Sequence, residues 1–215
     1  MEHSWAAIPL VIGLAISRSL AGTDLLPEPV STSDESAWEF SLSTSTYLAQ
    51  HSKDFVNPSL SADRDWFHVE ARYNYEALKT GSVWLGYNFS FGKELMIEAT
   101  PMIGGVFGDI TGAAPGYTLT MSYKSFELYT QGEYFFDAAI HAGDFFYSWS
   151  EFSFKPSDWF RVGLVIDRTK AFGTDFDIRR GPLIGFTHKD IDFTTYWLSP
   201  GSRDATFVFG ITYNF

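Results

Sequence analysis

Charged side chains recur at every second position along several stretches of this 215-residue chain. His68, Glu70, Arg72 and Glu76 share one parity. Glu98 stands on a second stretch, Glu127, Gln131 and Glu133 on a third, Glu151 on a fourth, and Arg161 and Asp167 on a fifth. Residues two apart on an extended strand point the same way, so each set would occupy one face of a sheet. Such faces support two kinds of chemistry. Packed together, carboxylates and guanidinium groups form a paired network that makes buried charge tolerable. Arranged around water, a face with more acids than bases favours cations.

Nucleophilic catalysis needs more, namely a hydroxyl and a base within hydrogen-bond reach. Beyond His3 the histidines are His51, His68, His141 and His188. His51 has Ser52 and Asp54 beside it, and His68 shares its face with Glu70. His141 lies among Ala and Gly, and His188 lies in a turn-like "HKD". The stretch "PGSRD" lacks the closing glycine of a nucleophile elbow, and no paired-His motif is present. No catalytic residue, metal ligand or cofactor is therefore assigned. The acids Asp109, Asp137, Asp144, Asp175 and Asp177 read as solvated loop residues, since "DFD" matches no complete calcium loop.

These faces belong to strands. Trp38, Phe40 and Leu42 alternate with Glu39, Ser41 and Ser43. Phe67, Val69, Ala71, Tyr73 and Tyr75 alternate with the His68 set. Val83 to Phe91, Leu95 to Ala99 and Phe160 to Ile166 repeat the pattern, the last opposing Trp159, Arg161 and Asp167. The period is two throughout, and no stretch has the 3.6 period of an amphipathic helix. The fold class is all-β. One face is apolar and aromatic while the other is polar and ionised. Aromatics crowd "DWFHVEARYNY", "DFFYSWSEF" and "DWFRV" as they do at membrane interfaces. A sheet that crosses lipid must close on itself, so a closed antiparallel transmembrane β-barrel is expected.

Composition agrees. There are 21 Phe, 11 Tyr and 7 Trp, no Cys and a formal net charge of -11. Without cysteine there are no disulfides. A chain so acidic does not suit nucleic acid, whose binding depends on Lys and Arg. Residues 1–21 read as a cleaved signal peptide, with an apolar run from Trp5 to Ile16 and a small-x-small site ending at Ala21. Its first residues carry Glu2 and His3 and no Lys or Arg. Residues 22–35 read as a flexible lead-in and 36–215 as the barrel.

The terminal alternation of Phe207, Phe209, Ile211, Tyr213 and Phe215, together with the leader, resembles the C-terminal strand signature of Gram-negative outer-membrane β-barrels. "VEARYNYE", "GSVWLGYNF", "TPMIGGVFG" and "APGYTL" also resemble porin-like and uncharacterised members of that group. The resemblance implies an integral outer-membrane location, with lipids and lipopolysaccharide as neighbours. It also implies that barrel-assembly machinery reads the final aromatic strand. Phe215 would then end in the periplasm, and short joints at 92–94, 124–125, 155–158 and 188–190 would share that side. Longer joints at 108–116, 137–144, 172–178 and 199–204 would lie outside. Parity then requires a strand near 54–60 despite Pro58, giving about twelve strands, or ten without it. Two functional readings stay open. One is a small, passive, cation-leaning channel for small solutes, and the other a structural barrel whose lumen is closed by a Glu/Arg network. An outer-membrane hydrolase is the remote alternative.

Overall fold

The computed structural model describes residues 37–51, 53–139 and 143–215. The proposed leader, the whole lead-in and His141 lie outside the described residues. The period-two pattern becomes β1 (Glu39–Ala49), β2 (Phe55–Arg64), β3 (Phe67–Tyr73), β4 (Thr80–Tyr87), β5 (Phe89–Gly92), β6 (Leu95–Gly108) and β7 (Gly112–Tyr123). It continues with β8 (Phe126–Asp137), β9 (Phe145–Ser157), β10 (Phe160–Ala171), β11 (Asp177–His188), β12 (Ile191–Leu198) and β13 (Thr206–Asn214). All pairings are antiparallel. β4 and β5 both pair with β6, so they form one stave interrupted at Asn88. The 13 strands therefore make a closed barrel of 12 staves. Closure leaves no sheet edge with unpaired backbone groups, which is the condition for crossing lipid.

The ring closes through β1 and β13, in register from Ser41↔Asn214 to Ala49↔Thr206. Phe40 and Phe215 exchange two backbone hydrogen bonds of 2.9 Å. Their rings stack with centroids 5.6 Å apart. The last residue is thus part of the ladder.

Register sets the faces. On β13, Phe207, Phe209, Ile211 and Tyr213 are exposed, whereas Thr206, Val208 and Thr212 are buried. The exposed wall elsewhere is also apolar, with Leu85, Ile103, Phe152, Leu164 and Phe193 among its residues. At the end carrying Phe215, Trp66 stacks on Tyr87 and Trp159 on Phe186, forming part of an aromatic rim.

Several expectations are corrected. The joint read at 108–116 is only residues 109–111, because β7 pairs with β6 from Gly112 onward. Its Gly and Ala residues look loop-like, yet Gly116 in that stretch and Gly104, opposite Ala114, leave space for Trp84. A Cβ at Gly104 or Gly116 would come within 2.5 or 2.8 Å of that indole ring. Tyr75, expected to face outward with Tyr73, is buried. β3 ends at Tyr73, so the period-two pattern no longer governs residue 75. Trp159, expected inward, is 60% exposed in the turn before β10. Pro58 does sit within β2, opposite Thr44. The β2–β3 ladder stops at Ser59↔Arg72, so Pro58 lies where β3 no longer pairs and a missing N–H is tolerated there.

Candidate functional site in the barrel lumen

Inward parity on neighbouring strands brings the charged residues into clusters. In the first, Arg72 on β3 donates from Nη2 to Glu70 Oε2 at 2.7 Å and from Nη1 to Glu133 Oε2 at 3.5 Å. Its guanidinium also lies 4.3 Å from the ring centroid of Tyr75 and 4.5 Å from that of Trp84. An arginine stacked on aromatic faces while bonded to carboxylates is held on several sides at once. Glu76, in the segment after β3, accepts from Ser82 Oγ at 2.5 Å and Trp84 Nε1 at 3.2 Å. Gln131 donates to the Tyr75 hydroxyl and accepts from Tyr129 Oη at 2.7 Å.

His68 borders this cluster. Its Nδ1 is 2.7 Å from Asp63 Oδ1, and its Nε2 is 3.7 Å from Glu70 Oε2. Asp63 also accepts from Asn88 Nδ2 at 2.8 Å, and Asn88 Oδ1 accepts from Thr100 Oγ1 at 2.7 Å. The break between β4 and β5 is thereby tied to the lumen by side chains.

The second cluster centres on Arg161, which donates to Glu151 Oε2 at 2.9 Å and to Thr194 Oγ1 at 2.8 Å. Arg161 runs across Gly185, where a Cβ would lie 2.6 Å from its Nε. Glu151 Oε1 accepts from Trp149 Nε1 at 2.7 Å and Tyr196 Oη at 2.8 Å. Lys155 Nζ meets Glu127 Oε2 at 2.6 Å nearer the turn. A third contact pairs Asp167 with Arg179. Glu98 is half-buried and lies opposite Thr120, outside both clusters.

Large apolar side chains share the inward face. Tyr47, Tyr75, Tyr147, Trp149, Val165, Leu183, Tyr196, Leu198 and Val208 form one buried group. Trp84, Met102, Val106, Ala114 and Phe135 form another. Between Arg72, Tyr75, Trp84, Met102, Gln131 and Glu133 the space for a water-sized sphere is about 0 Å³. Toward the end bearing the terminus, Glu127, Lys155, Arg161 and Asp192 line a cavity of about 50 Å³.

The arrangement brings His68, Glu70, Arg72, Glu76 and Glu133 together, and separately Glu151 and Arg161. Asp63, Arg179, Asp192 and Lys155 join these contacts beyond the residues expected, and Tyr147 and Trp149 face the lumen rather than an outer girdle. Those two share the parity of Glu151, a signal that was present in the sequence. Lys155 was read as a turn residue, yet β9 runs on to Ser157 with a register shift near Phe160. Of the loop acids, Asp144 is buried and accepts from the Asp137 backbone N–H at 2.8 Å, so it is not solvated. His51 Nδ1 lies 2.7 Å from the Arg203 carbonyl, and His188 is exposed beside its turn. Among the described residues no cluster of His, Cys, Asp and Glu could hold a metal ion.

No protein-family model matches the chain. No curated protein matches it either. Several solved structures resemble it over most of its length, two porins among them. One is described as "KdgM porin", at 10% identity and TM-score 0.56, covering 81% of this chain and 99% of that one. The other is "KdgM porin in complex with disordered oligogalacturonate", at 11% identity and TM-score 0.57, with the same coverages of 81% and 99%. At such identity the likeness concerns fold, and it agrees with the strand order and the two faces: the chain has the closed twelve-stranded barrel fold of porins.

Proposed function

We propose that this chain is an integral outer-membrane barrel acting as a narrow, passive channel for small solutes, with a preference for cations. Both termini face the periplasm, and the segments at 74–79, 109–111, 172–176 and 199–205 face outward. The observation that carries the reading is the surplus of carboxylates inside a porin-type barrel. Arg72 serves Glu70 and Glu133 together, and Arg161 serves Glu151. Asp192 accepts from the neutral donors Thr187 and Asn214, and Glu98 lies apart from both clusters. Such a lumen attracts cations and disfavours polyanions. Twelve strands lie between small barrels filled by side chains and the 16–18-stranded porins with an open channel. The space among Arg72, Tyr75, Trp84, Met102, Gln131 and Glu133 admits no water-sized sphere, so passage between these side chains requires them to move.

A second reading, a structural barrel without transport, is favoured by the absence of water-sized space at Arg72. Planar-bilayer recording separates the two. The channel reading expects small conductance steps, a reversal potential displaced toward the cation in a KCl gradient, and larger steps for Gln131→Ala, which removes bulk but no charge. Silence in both proteins supports the structural barrel, and anion preference overturns the selectivity.

A further inference from the structure

The lipid-facing wall is not uniformly apolar. Register and exposure identify the outward positions of every described strand, and charge appears at very few. Arg64 and His188 lie at the end bearing Phe215, where Arg64 reaches the ring of Trp38. At the opposite end, the outward charges are Arg168 and Lys170 on β10 and Arg180 on β11. All three are exposed, all are basic, and they lie on adjacent strands. Ile166 pairs with Arg180 and Arg168 with Ile178, so the two arginines are diagonal neighbours on one face. Lys170 Nζ lies 5.1 Å from the Phe176 ring centroid, and that ring packs edge-on against Phe146. The inward neighbours Asp167 and Arg179 are committed to each other through the lumen. No strand position beside the trio places an acid on the outward face, and the exposed Asp177 has the inward parity of Arg179 while Asp175 lies in the connecting segment, although the whole chain carries a net charge of -11.

An uncompensated cation on the lipid face is costly except near a headgroup. Three on one patch therefore require anions at that height. Arginine forks match phosphate oxygens in two-point contacts, while lysine adds a mobile point charge. We propose that Arg168, Lys170 and Arg180 form a docking surface for the phosphate groups of a phosphorylated saccharolipid of the outer leaflet, with Phe146, Phe176 and Ile178 lying against its acyl chains. The assignment to that leaflet rests on the orientation proposed above.

The experiment uses the full barrel in detergent micelles, where insertion direction plays no part. Lipid A, its dephosphorylated form and inorganic phosphate are titrated while thermal unfolding and lipid retention are followed. Lipid A is expected to raise the unfolding midpoint and to stay bound, with little effect from the other two. Replacing Arg168, Lys170 and Arg180 by Gln is expected to weaken retention by roughly a hundredfold, about fivefold per cation lost. Arg64→Gln at the other end serves as the control and should retain lipid as the wild type does. Equal binding of the dephosphorylated lipid, or unchanged binding by the triple variant, overturns the proposal. If the triple variant does not fold, the comparison of lipids on the wild type still decides. Cell-surface labelling reports orientation separately, so failure of the patch and failure of the orientation are distinguishable.

Discussion

Arg72 is the residue on which the lumen converges. It bonds Glu70, reaches Glu133, and lies against Tyr75 and Trp84. Removing one partner of a buried ion pair leaves the other charge uncompensated, a loss of about 3–5 kcal/mol. Arg72→Leu is expected to lower stability by that amount in urea unfolding from lipid vesicles. Adding Glu70→Gln and Glu133→Gln should recover much of it, because the unpaired carboxylates are then gone. A triple variant as unstable as the single one would show that shape, rather than charge, holds this level. The candidate residues themselves were legible from parity. Their partnerships were not, since Arg72 and Glu133 are 61 positions apart and meet only through the sheet.

At the scale of the element, β13 shows how one strand carries both closure and address. Phe215 makes two backbone bonds with Phe40 and stacks on its ring. Phe215→Ala keeps the backbone bonds and loses the ring, whereas deletion of Phe215 loses both. In refolding into vesicles, the deletion should be clearly slower and less stable than Phe215→Ala. In cells, both should reach the outer membrane poorly if the terminal aromatic is read during assembly. Normal surface levels for Phe215→Ala would remove the assembly role and leave only packing. The face of this strand was legible residue by residue, because alternation continues to the chain end. The start of β7 was not. Gly112, Ala113, Ala114 and Pro115 have little strand propensity, and the contacts that call for small residues here are tertiary: a Cβ at Gly112 would lie 2.8 Å from the Phe135 ring, and one at Gly116 2.8 Å from the Trp84 ring.

For the whole molecule, the even stave count places both ends of the barrel chain on one side. Connections on the side of Phe215 are tight, such as Lys124–Ser125 and Lys189–Asp190, whose first residues adopt φ of 53° and 55°. The opposite side carries the longer segments, including residues 172–176 and 199–205. A cysteine placed at Thr174 or Gly201 is expected to react with a membrane-impermeant reagent on intact cells, and one at Ser125 only after permeabilisation. The reverse pattern would turn the molecule over and move the basic patch to the inner leaflet. The same closed architecture makes the lumen a shared space, so its filling is a property of the whole ring.

Fold class, greasy outer wall and charged inner face are all legible in the order of the residues. A period of two needs only local information, and a sheet in lipid has few other solutions. That order also carried the closing strand, because Phe207 to Phe215 alternate without interruption. Which side chains occupy the interior is set by tertiary packing. Tyr75 and Glu76 fold inward after β3 ends, and Tyr147 and Trp149 enter the lumen rather than the rim. Whether such side chains meet or pass each other depends on the relative register of strands distant in the chain. That register brings Arg72, Trp84, Gln131 and Glu133 together, and the space among them admits no water-sized sphere.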